Sequence, residues 1–237
     1  KFQIWDRQLM PPNRIVLVYP LQGFSGLYVR HVPLSLLYAS AEVLKSGFDV
    51  TIVDCRVEKE WEAKLAQLLV ADDVFCVGLS VMSGAPIRHA KEIGAIVKHL
   101  APSVPVIWGG PHATFSPSSI LDGDPNADYV VSGYGAEPFE QLCQVIRNGA
   151  EPIEIQGISW RRSGSVKFNP LVNQKFEFIP FEDIPYHLIE DYSVYGQIDQ
   201  DKKIISMYSA HGCPYKCSFC SSPAQYAPIK GKKWVPL

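Results

Sequence analysis

The chain has 237 residues, of which 47% are hydrophobic and 19% charged, and its formal net charge at pH 7 is −2. This composition predicts a globular protein with one full domain and part of a second, and the near-neutral charge gives no reason to expect nucleic acid as partner. No apolar run is long enough for a membrane span, and no signal peptide is visible, which favours a cytoplasmic location. Because the chain begins at Lys1 and stops at Leu237, we expect it to be an incomplete piece of a longer protein.

After an N-terminal arm, predicted at residues 1–13, short apolar runs alternate with helical patterns. The predicted strands are 14–19, 49–54, 74–80, 105–108 and 128–131, and the predicted helices are 33–46, 58–69, 85–100 and 137–148. Strands that are apolar throughout and separated by helices indicate a parallel sheet covered on both faces. Residues 14–149 are therefore predicted to form an α/β domain with a doubly wound, five-stranded sheet, most simply of flavodoxin-like strand order.

Ligands of such sheets bind beyond the carboxyl ends of the strands. The loops there, at 20–26, 80–84, 109–114 and 132–137, are rich in glycine and small residues. This favours a ligand that approaches the backbone closely over a broad front. Neither a G-x-G-x-x-G after the first strand nor a Walker A loop is present, and the first loop lacks the hydroxyl residues expected for flavin mononucleotide. The residues alone leave the ligand unidentified.

Residues 150–200 show a different pattern, with a predicted hairpin at 157–169 turned at Ser163-Gly164 and then two prolines without helical periodicity. We interpret this stretch as a linker packed along a surface. A further domain is predicted to start at residue 201, where the apolar run 204–208 predicts a buried strand.

Directly after that run, Cys213, Cys217 and Cys220 stand at C-x3-C-x2-C spacing. Thiolates on one short loop suit zinc or an iron–sulfur cluster. Three readings stay open at this point: coincidence, a Cys3His zinc site completed by His211, and a four-iron cluster with one iron open to an outside ligand. The remaining cysteines, Cys55, Cys76 and Cys143, are predicted to be ordinary core thiols.

The triplet, with Phe219 just before the last cysteine, resembles the signature of radical S-adenosylmethionine enzymes. The resemblance implies that Cys213, Cys217 and Cys220 hold a 4Fe-4S cluster and that the methionine part of S-adenosylmethionine chelates the fourth iron. His211 would then not be a ligand.

The loops after strands three and four, Gly78–Gly84 and Trp108–Thr114, resemble those of cobalamin-binding domains. In that family, the serine of the loop after strand three and the double glycine of the loop after strand four line a slot for the dimethylbenzimidazole tail. A Cβ at the glycines would collide with that tail. A glycine–acid segment after the fifth strand is also similar, although Tyr134 stands in place of the usual first acid. The resemblance implies these cobalamin-binding residues: Ser80, Val81, Met82, Ser83, Gly84, Gly109, Gly110, Pro111, His112, Thr114, Gly133, Gly135 and Glu137.

Many cobalamin domains carry D-x-H-x-x-G after the first strand, with a histidine that ligates cobalt. Residues 19–24 contain no histidine, His31 lies further along the chain, and His112 is expected to have a packing or ligand-edge role. We therefore expect no histidine beneath cobalt, as in radical S-adenosylmethionine enzymes that use cobalamin. The stretch 178–185 is also similar to the linker between the two domains of that family.

Taken together, the resemblance implies a cobalamin-binding domain followed by the first element of a radical S-adenosylmethionine (β/α) barrel at 201–237. The implied function is methyl transfer to an unactivated carbon through a 5′-deoxyadenosyl radical and methylcobalamin, with radical cyclisation or rearrangement as the alternative. A non-enzymatic cobalamin-binding module with a zinc site is the rival from another class. A small-molecule or peptide substrate and an external electron donor such as flavodoxin or ferredoxin are the implied partners. The sequence identifies neither the substrate nor a catalytic side chain.

Overall fold

The computed structural model describes residues 11–23, 31–172, 174, 178–195 and 206–225, and the backbone of 234–236. Most of the predicted N-terminal arm, residues 1–10, lies outside these ranges. Within them, every helix is too short or too polar to cross a membrane.

One sheet of seven strands forms the centre of the molecule, in the order β2-β1-β3-β4-β5-β6-β7. The strands are β1 (Arg14–Tyr19), β2 (Asp49–Asp54), β3 (Val74–Ser80), β4 (Val106–Gly109), β5 (Tyr129–Val131), β6 (Ile158–Arg162) and β7 (Ser165–Phe168). The first five are parallel, so the flavodoxin-like order is confirmed. The prediction of five strands is corrected to seven, because the hairpin β6–β7 adds to β5 in antiparallel pairing.

Six helices accompany this sheet, and four of them were predicted. They are α1 (Leu34–Lys45), α2 (Trp61–Val70), α3 (Pro86–Leu100), α4 (Pro111–Phe115), α5 (Pro117–Gly123) and α6 (Ala136–Arg147). The short helices α4 and α5 were not predicted, because neither is long enough to show a helical period. Each begins at a proline, whose fixed φ suits the first helical position.

Alternation along the strands divides the core between two faces of the sheet. Ile15 and Leu17 of β1 belong to a buried cluster with α1 and α6. Val16 and Val18 belong to a second cluster with α2 and α3. Because both faces are covered, the strands are apolar throughout, which is the pattern that made them recognisable in the sequence.

Beyond its hairpin, the predicted linker packs against the α1–α6 face through four buried side chains, Ile179, Ile184, Ile189 and Tyr195. It contains three short 3₁₀ turns, Phe181–Asp183, Tyr186–Leu188 and Tyr192–Val194. Lys45 of α1 pairs with Asp183 at 3.0 Å. This agrees with a connection that follows a surface, while the division of the chain into domains stays a prediction.

The segment that carries the cysteine triplet has little regular structure. Strand β8 (Ala210–Gly212) pairs in antiparallel fashion with β9 (Trp234–Pro236), and helix α7 covers Ser222–Gln225. Of the predicted buried strand at 204–208, residues 206–208 are irregular and the other two lie outside the described residues. Met207 is 51% exposed, so the prediction of a buried strand is wrong for the described part.

Candidate functional site

A cavity of about 970 Å³ lies at the carboxyl edge of the parallel strands, on the face covered by α1 and α6. Side chains alternate between the two faces of each strand, so every second residue of β1, β3, β4 and β5 and of the loops after them points to the floor of the cavity. The floor residues are Leu17, Tyr19, Gly78, Ser80, Ile107, Gly109, Val131 and Gly133. Small residues at Ser80 and Gly109 leave a slot between the sheet and the helices, which is where the topology predicts a ligand. The space beside Gly78 is instead filled by Leu17 and Phe139.

The walls of the cavity come from different parts of the chain. Helix α1 contributes Ser35 and Tyr38, and α6 contributes Ala136 and Phe139. The remaining wall is formed by residues 206–208 and 210–212 and by Gln225, on either side of the cysteines. The cavity of the α/β domain is therefore closed by the segment that leads into Cys213.

Hydrogen bonds hold the loops after β3, β4 and β5 together. The N–H of Val81 donates to the carbonyl of Gly109 (2.9 Å), and the carbonyl of Val81 accepts from the N–H of His112 (3.0 Å). The hydroxyl of Thr114 donates to the carbonyl of Gly110 (3.1 Å) and accepts from the N–H of Gly133 (3.0 Å). The three glycine-rich loops thus form one connected framework before any ligand is considered.

The two adjacent glycines of the fourth loop have different reasons to be glycine. Gly110 has φ 89° and ψ −172°, a region that is essentially restricted to glycine. A Cβ there would also come within 2.9 Å of Val81 N and 3.0 Å of Val81 O. A Cβ on Gly109 would meet only Leu79 O at 3.7 Å, so its free side opens to the cavity. The backbone contact, and not a ligand, fixes Gly110.

The sequence-predicted cofactor residues separate into two groups. Those that line the cavity are Ser80, Met82, Gly109, Gly110, Pro111, Gly133 and Gly135. Those that do not line it are Val81, Ser83, Gly84, His112, Thr114 and Glu137. In the second group, Val81 and Thr114 hold the loops as described, and Ser83 Oγ lies 3.1 Å from Nδ1 of His112. Burial lowers the pKa of His112 below the ordinary 6.5 and so favours its neutral imidazole.

Several cavity residues were not predicted. His31, which lies further along the chain than the expected position of a cobalt ligand, lines the cavity. Its Nδ1 lies 3.2 Å from Oγ of Ser206. Tyr19, Gln22 and Arg56 line the end near β1 and β2. Their position just after these strands was the available signal, because the carboxyl-end rule applies to every strand of the sheet.

His211 is enclosed by aromatic rings beside the cavity. The rings of Tyr38, Tyr134, Phe178 and Tyr208 have centroids between 5.1 and 5.9 Å from that of His211. Burial lowers the pKa of His211 to about 4, so this imidazole is neutral at pH 7. The rings join α1, the fifth loop and the linker to the segment before the cysteines.

The cysteine loop itself is open to solvent. Cys217 and Cys220 are exposed, Cys213 is half-buried, and Phe219 is 91% exposed. Hydrogen bonds from Ser222, chiefly from its side chain, lower the pKa of Cys220, which favours the thiolate that binds metal. Cys55, Cys76 and Cys143 are buried, as predicted.

The donor set fits an iron–sulfur cluster in its chemistry, because three accessible soft ligands stand on one loop. Across the part of the chain that the structure describes, no three His, Cys, Asp or Glu side chains surround a common point where one metal ion would bind. In addition, His211 is packed among rings while Cys217 and Cys220 are exposed. The Cys3His zinc alternative therefore receives no support from the described geometry.

Comparison with known proteins supports the predicted cofactors. Residues 26–143 match the family model of the B12 binding domain. The chain is 29% identical over 204 residues to an uncharacterized methyltransferase of Pyrococcus horikoshii, which covers 85% of this chain and 42% of the relative. It is 23% identical over 201 residues to an anaerobic magnesium-protoporphyrin IX monomethyl ester cyclase of Synechocystis, with 82% of this chain and 39% of the relative covered.

The fold is similar to that of the radical S-adenosylmethionine methyltransferase TsrM from Kitasatospora setae, solved with cobalamin and a [4Fe-4S] cluster bound. The TM-score is 0.67 at 19% identity, over 96% of this chain and 43% of TsrM. The chain thus spans about two fifths of the length of the curated relatives, 42% and 39%. Residues 26–143 form a B12-binding domain, and the chain is similar in fold to a radical S-adenosylmethionine methyltransferase solved with cobalamin bound.

Proposed function

We propose that this chain is the cofactor-binding part of a cobalamin-dependent radical S-adenosylmethionine methyltransferase that acts on an unactivated carbon. One observation carries the proposal: the cavity of the B12-binding domain is walled by residues 206–208 and 210–212, immediately before Cys213. Cobalamin in the cavity and a cluster on the cysteines would therefore be neighbours. Such cofactors supply the methyl-group and radical chemistry, and the protein positions them.

Cobalamin would lie across the carboxyl edge of the sheet, with its nucleotide tail in the slot between the sheet and the helices α1 and α6. Ser80 Oγ lies 2.9 Å from Ser35 Oγ, so this hydroxyl pair offers both a donor and an acceptor to the tail. Gly109 supplies the space that a flat group needs, since its nearest neighbour leaves room for a Cβ. The framework of hydrogen bonds around Val81 and Thr114 keeps that space open.

Cys213, Cys217 and Cys220 would bind a 4Fe-4S cluster and leave one iron for S-adenosylmethionine. The lowered pKa of Cys220 and the exposure of Cys217 favour assembly of a cluster from solution. His211 would not be a ligand. Its neutral ring would instead pack between the cavity and the cluster and exclude water from the space between them.

Radical cyclisation is the second candidate, since one relative is named as a cyclase. Both candidates use the same cavity and the same cysteines, and they differ in the fate of S-adenosylmethionine. The substrate, the external electron donor and the cytoplasmic location stay predictions.

The test uses the protein that contains this chain, purified without oxygen and supplied with iron, sulfide and cobalamin. The proposal predicts a brown protein whose broad absorption bleaches on reduction and which releases 5′-deoxyadenosine from S-adenosylmethionine. Methyl transfer predicts S-adenosylhomocysteine in addition, whereas cyclisation predicts 5′-deoxyadenosine alone. A protein that contains zinc but no iron or sulfide, and that still binds cobalamin, would overturn the enzyme proposal in favour of a binding module.

A further inference from the structure

A buried arginine lies at the end of the cavity furthest from the glycine loops. Arg56 follows β2 by two residues, and its side chain is only 7% exposed. Among the described residues that line the cavity, it is the one with a permanent charge. A buried guanidinium is stable only where its N–H donors have acceptors.

One edge of the guanidinium is fully used by the protein. Nε donates to Oδ1 of Asp54 at 2.8 Å and Nη2 to Oδ2 at 2.6 Å. Nη2 also donates to the carbonyl of His31 at 3.1 Å. The guanidinium carbon lies 3.9 Å from the centroid of the Tyr19 ring, so ring stacking fixes its plane.

The other edge is available to a ligand. Among the described residues, Nη1 of Arg56 has no hydrogen-bond partner, and it is not one of the polar atoms sealed away from solvent. Since Arg56 lines the cavity, the two N–H groups of Nη1 are the donors that remain for a ligand there. The group is held rigid before binding, which reduces the entropy lost on forming a contact.

The charge balance indicates the kind of acceptor. Asp54 is 1% exposed and also accepts from the hydroxyl of Tyr195 at 2.8 Å. The Asp54–Arg56 pair is neutral as a whole, so it exerts little net attraction on an anion. A neutral oxygen acceptor such as a carboxamide suits the free N–H groups better than a phosphate does.

The position along the sheet agrees with this choice. Arg56 follows β2, whereas the tail slot is at Gly109 of β4, three strands away in the order β2-β1-β3-β4. At about 4.8 Å per strand this is a separation of roughly 14 Å. A cobalamin whose nucleotide tail occupies the slot would place the edge of its corrin ring, which carries carboxamide side chains, toward Arg56.

We propose that Nη1 of Arg56 donates a hydrogen bond to a carboxamide oxygen on the corrin edge of cobalamin. This inference rests on the proposed binding of cobalamin in the cavity. Tyr195, at the end of the described linker, is a positioning residue in this arrangement, because it completes the hydrogen bonds of the carboxylate that orients Arg56.

The test compares cobalamin with cobinamide, which has the same corrin carboxamides but no nucleotide tail. Dissociation constants are measured by absorption titration for the unmodified chain, Arg56→Gln and Arg56→Lys. Arg88→Gln is the matched control, since Arg88 is 89% exposed and pairs with Glu92 on α3. Both Arg56 variants should bind both corrinoids roughly tenfold or more weakly, because a hydrogen bond from a charged group contributes more than one factor of ten.

Equal weakening for the two corrinoids supports the carboxamide contact, and the Arg88→Gln protein should bind like the unmodified chain. Weakening for cobalamin alone would overturn the proposal in favour of a contact with the tail phosphate. Unchanged affinity in Arg56→Lys and Arg56→Gln would also overturn it, while leaving cobalamin binding in place. Failure of the unmodified chain to bind either corrinoid would instead refute the proposed function.

Arg56→Gln leaves the carboxylate of Asp54 buried without its cation, which destabilises a fold. The double variant Asp54→Asn with Arg56→Gln removes both charges and serves if the single variant does not fold. Tyr195→Phe should weaken both corrinoids by a smaller factor. An effect of Tyr195→Phe on unfolding alone would remove its positioning role and leave the Arg56 contact standing.

Discussion

The two halves of the candidate site are built in opposite ways. Backbone hydrogen bonds of 2.9 and 3.0 Å tie the glycine loops after β3 and β4 together, and the hydroxyl of Thr114 ties the loop after β5 to them. Their shape exists without a ligand. The cysteine loop has two exposed thiols and a 91% exposed Phe219, and its described residues converge on no metal point. The cavity is therefore shaped by the fold itself, whereas the proposed cluster ligands lie on a solvent-exposed loop.

The largest effect is expected from a change in the cysteine loop. Cys217→Ala should abolish cluster assembly, because three thiolates are the smallest set that leaves one iron open. Folding of the α/β domain should be unaffected, since Cys217 is exposed. Iron and sulfide content after anaerobic reconstitution measures the first effect, and thermal unfolding measures the second.

Cys143→Ala is the matched control for that experiment. Cys143 is fully buried in α6, so its loss should lower stability while iron content stays at the level of the unmodified protein. Full iron and sulfide in Cys217→Ala would contradict the assignment of the ligands. Loss of iron in both variants would show that the assay reports folding instead of ligation.

A matched pair of glycine variants examines the cavity half. Gly110→Ala should destabilise the domain by about 1–3 kcal/mol from backbone strain alone, with a further cost from the close contact to Val81 N. Gly109→Ala should leave the unfolding temperature unchanged, because the nearest atom to its new Cβ lies at 3.7 Å. It should instead weaken cobalamin binding by about 1–3 kcal/mol, the usual cost of extra atoms in a packed site.

Denaturant unfolding and absorption titration separate the two effects. If Gly109→Ala binds cobalamin as tightly as the unmodified chain, the tail slot does not lie beside β4. If Gly110→Ala is as stable as the unmodified chain, the close approach of the third and fourth loops is not a structural requirement.

The same comparison explains how far the sequence predicted the structure. The five parallel strands were found because burial on both faces makes them continuously apolar, as in Val16 and Val18 of β1. The seventh and sixth strands were recognised as a hairpin, but their addition to β5 depends on long-range pairing that no local pattern records. Arg56 was missed for a similar reason: Tyr19, on which it stacks, and Tyr195, which donates to the carboxylate of Asp54, come near it only in the fold.

The role of the three cysteines as cluster ligands is predicted from their spacing, which is a local property of the chain. The different roles of Gly109 and Gly110 were not predicted, because both glycines belong to the same motif. Only the coordinates show that one Cβ would meet Val81 and the other would enter the cavity. A motif therefore identified the loop but not the reason for each residue in it.

A smaller effect is expected from pH, through a histidine that holds the first loop. Nδ1 of His89 accepts from the N–H of Leu21 at 2.9 Å, and the ring packs edge-on against Trp61 with centroids 4.7 Å apart. Burial lowers its pKa from the ordinary 6.5, against weaker opposing effects of Glu92 and Glu62. The unfolded chain therefore takes up a proton at higher pH than the folded one.

Stability from His89 is thus full above pH 6.5 and falls as the pH decreases from there toward the lowered value. The slope for one proton is at most about 1.4 kcal/mol per pH unit. Urea unfolding between neutral and mildly acidic pH should show this loss, and His89→Gln should reduce it. A pH dependence that is identical in the variant would assign the acid sensitivity to other groups.

The smallest expected effect is spectroscopic and concerns the cobalt of cobalamin bound in the cavity. Sequence reasoning expected no histidine beneath cobalt because residues 19–24 contain none. The structure brings two histidines to the cavity, His31 and His211, and each contacts other side chains there. His31 Nδ1 lies 3.2 Å from Ser206 Oγ, and His211 is packed among four rings. The contact of His31 uses Nδ1, and a histidine can ligate a metal through one nitrogen while the other is hydrogen-bonded. We still expect cobalt without an axial imidazole, because the first loop carries no histidine. Electron paramagnetic resonance of the cobalt(II) form should show cobalt lines without the threefold splitting that one nitrogen ligand causes. Threefold splitting that disappears in His31→Ala would contradict this expectation and identify His31 as a ligand of cobalt. The control is His99→Ala, on helix α3 at the other face of the sheet, in which that splitting should persist.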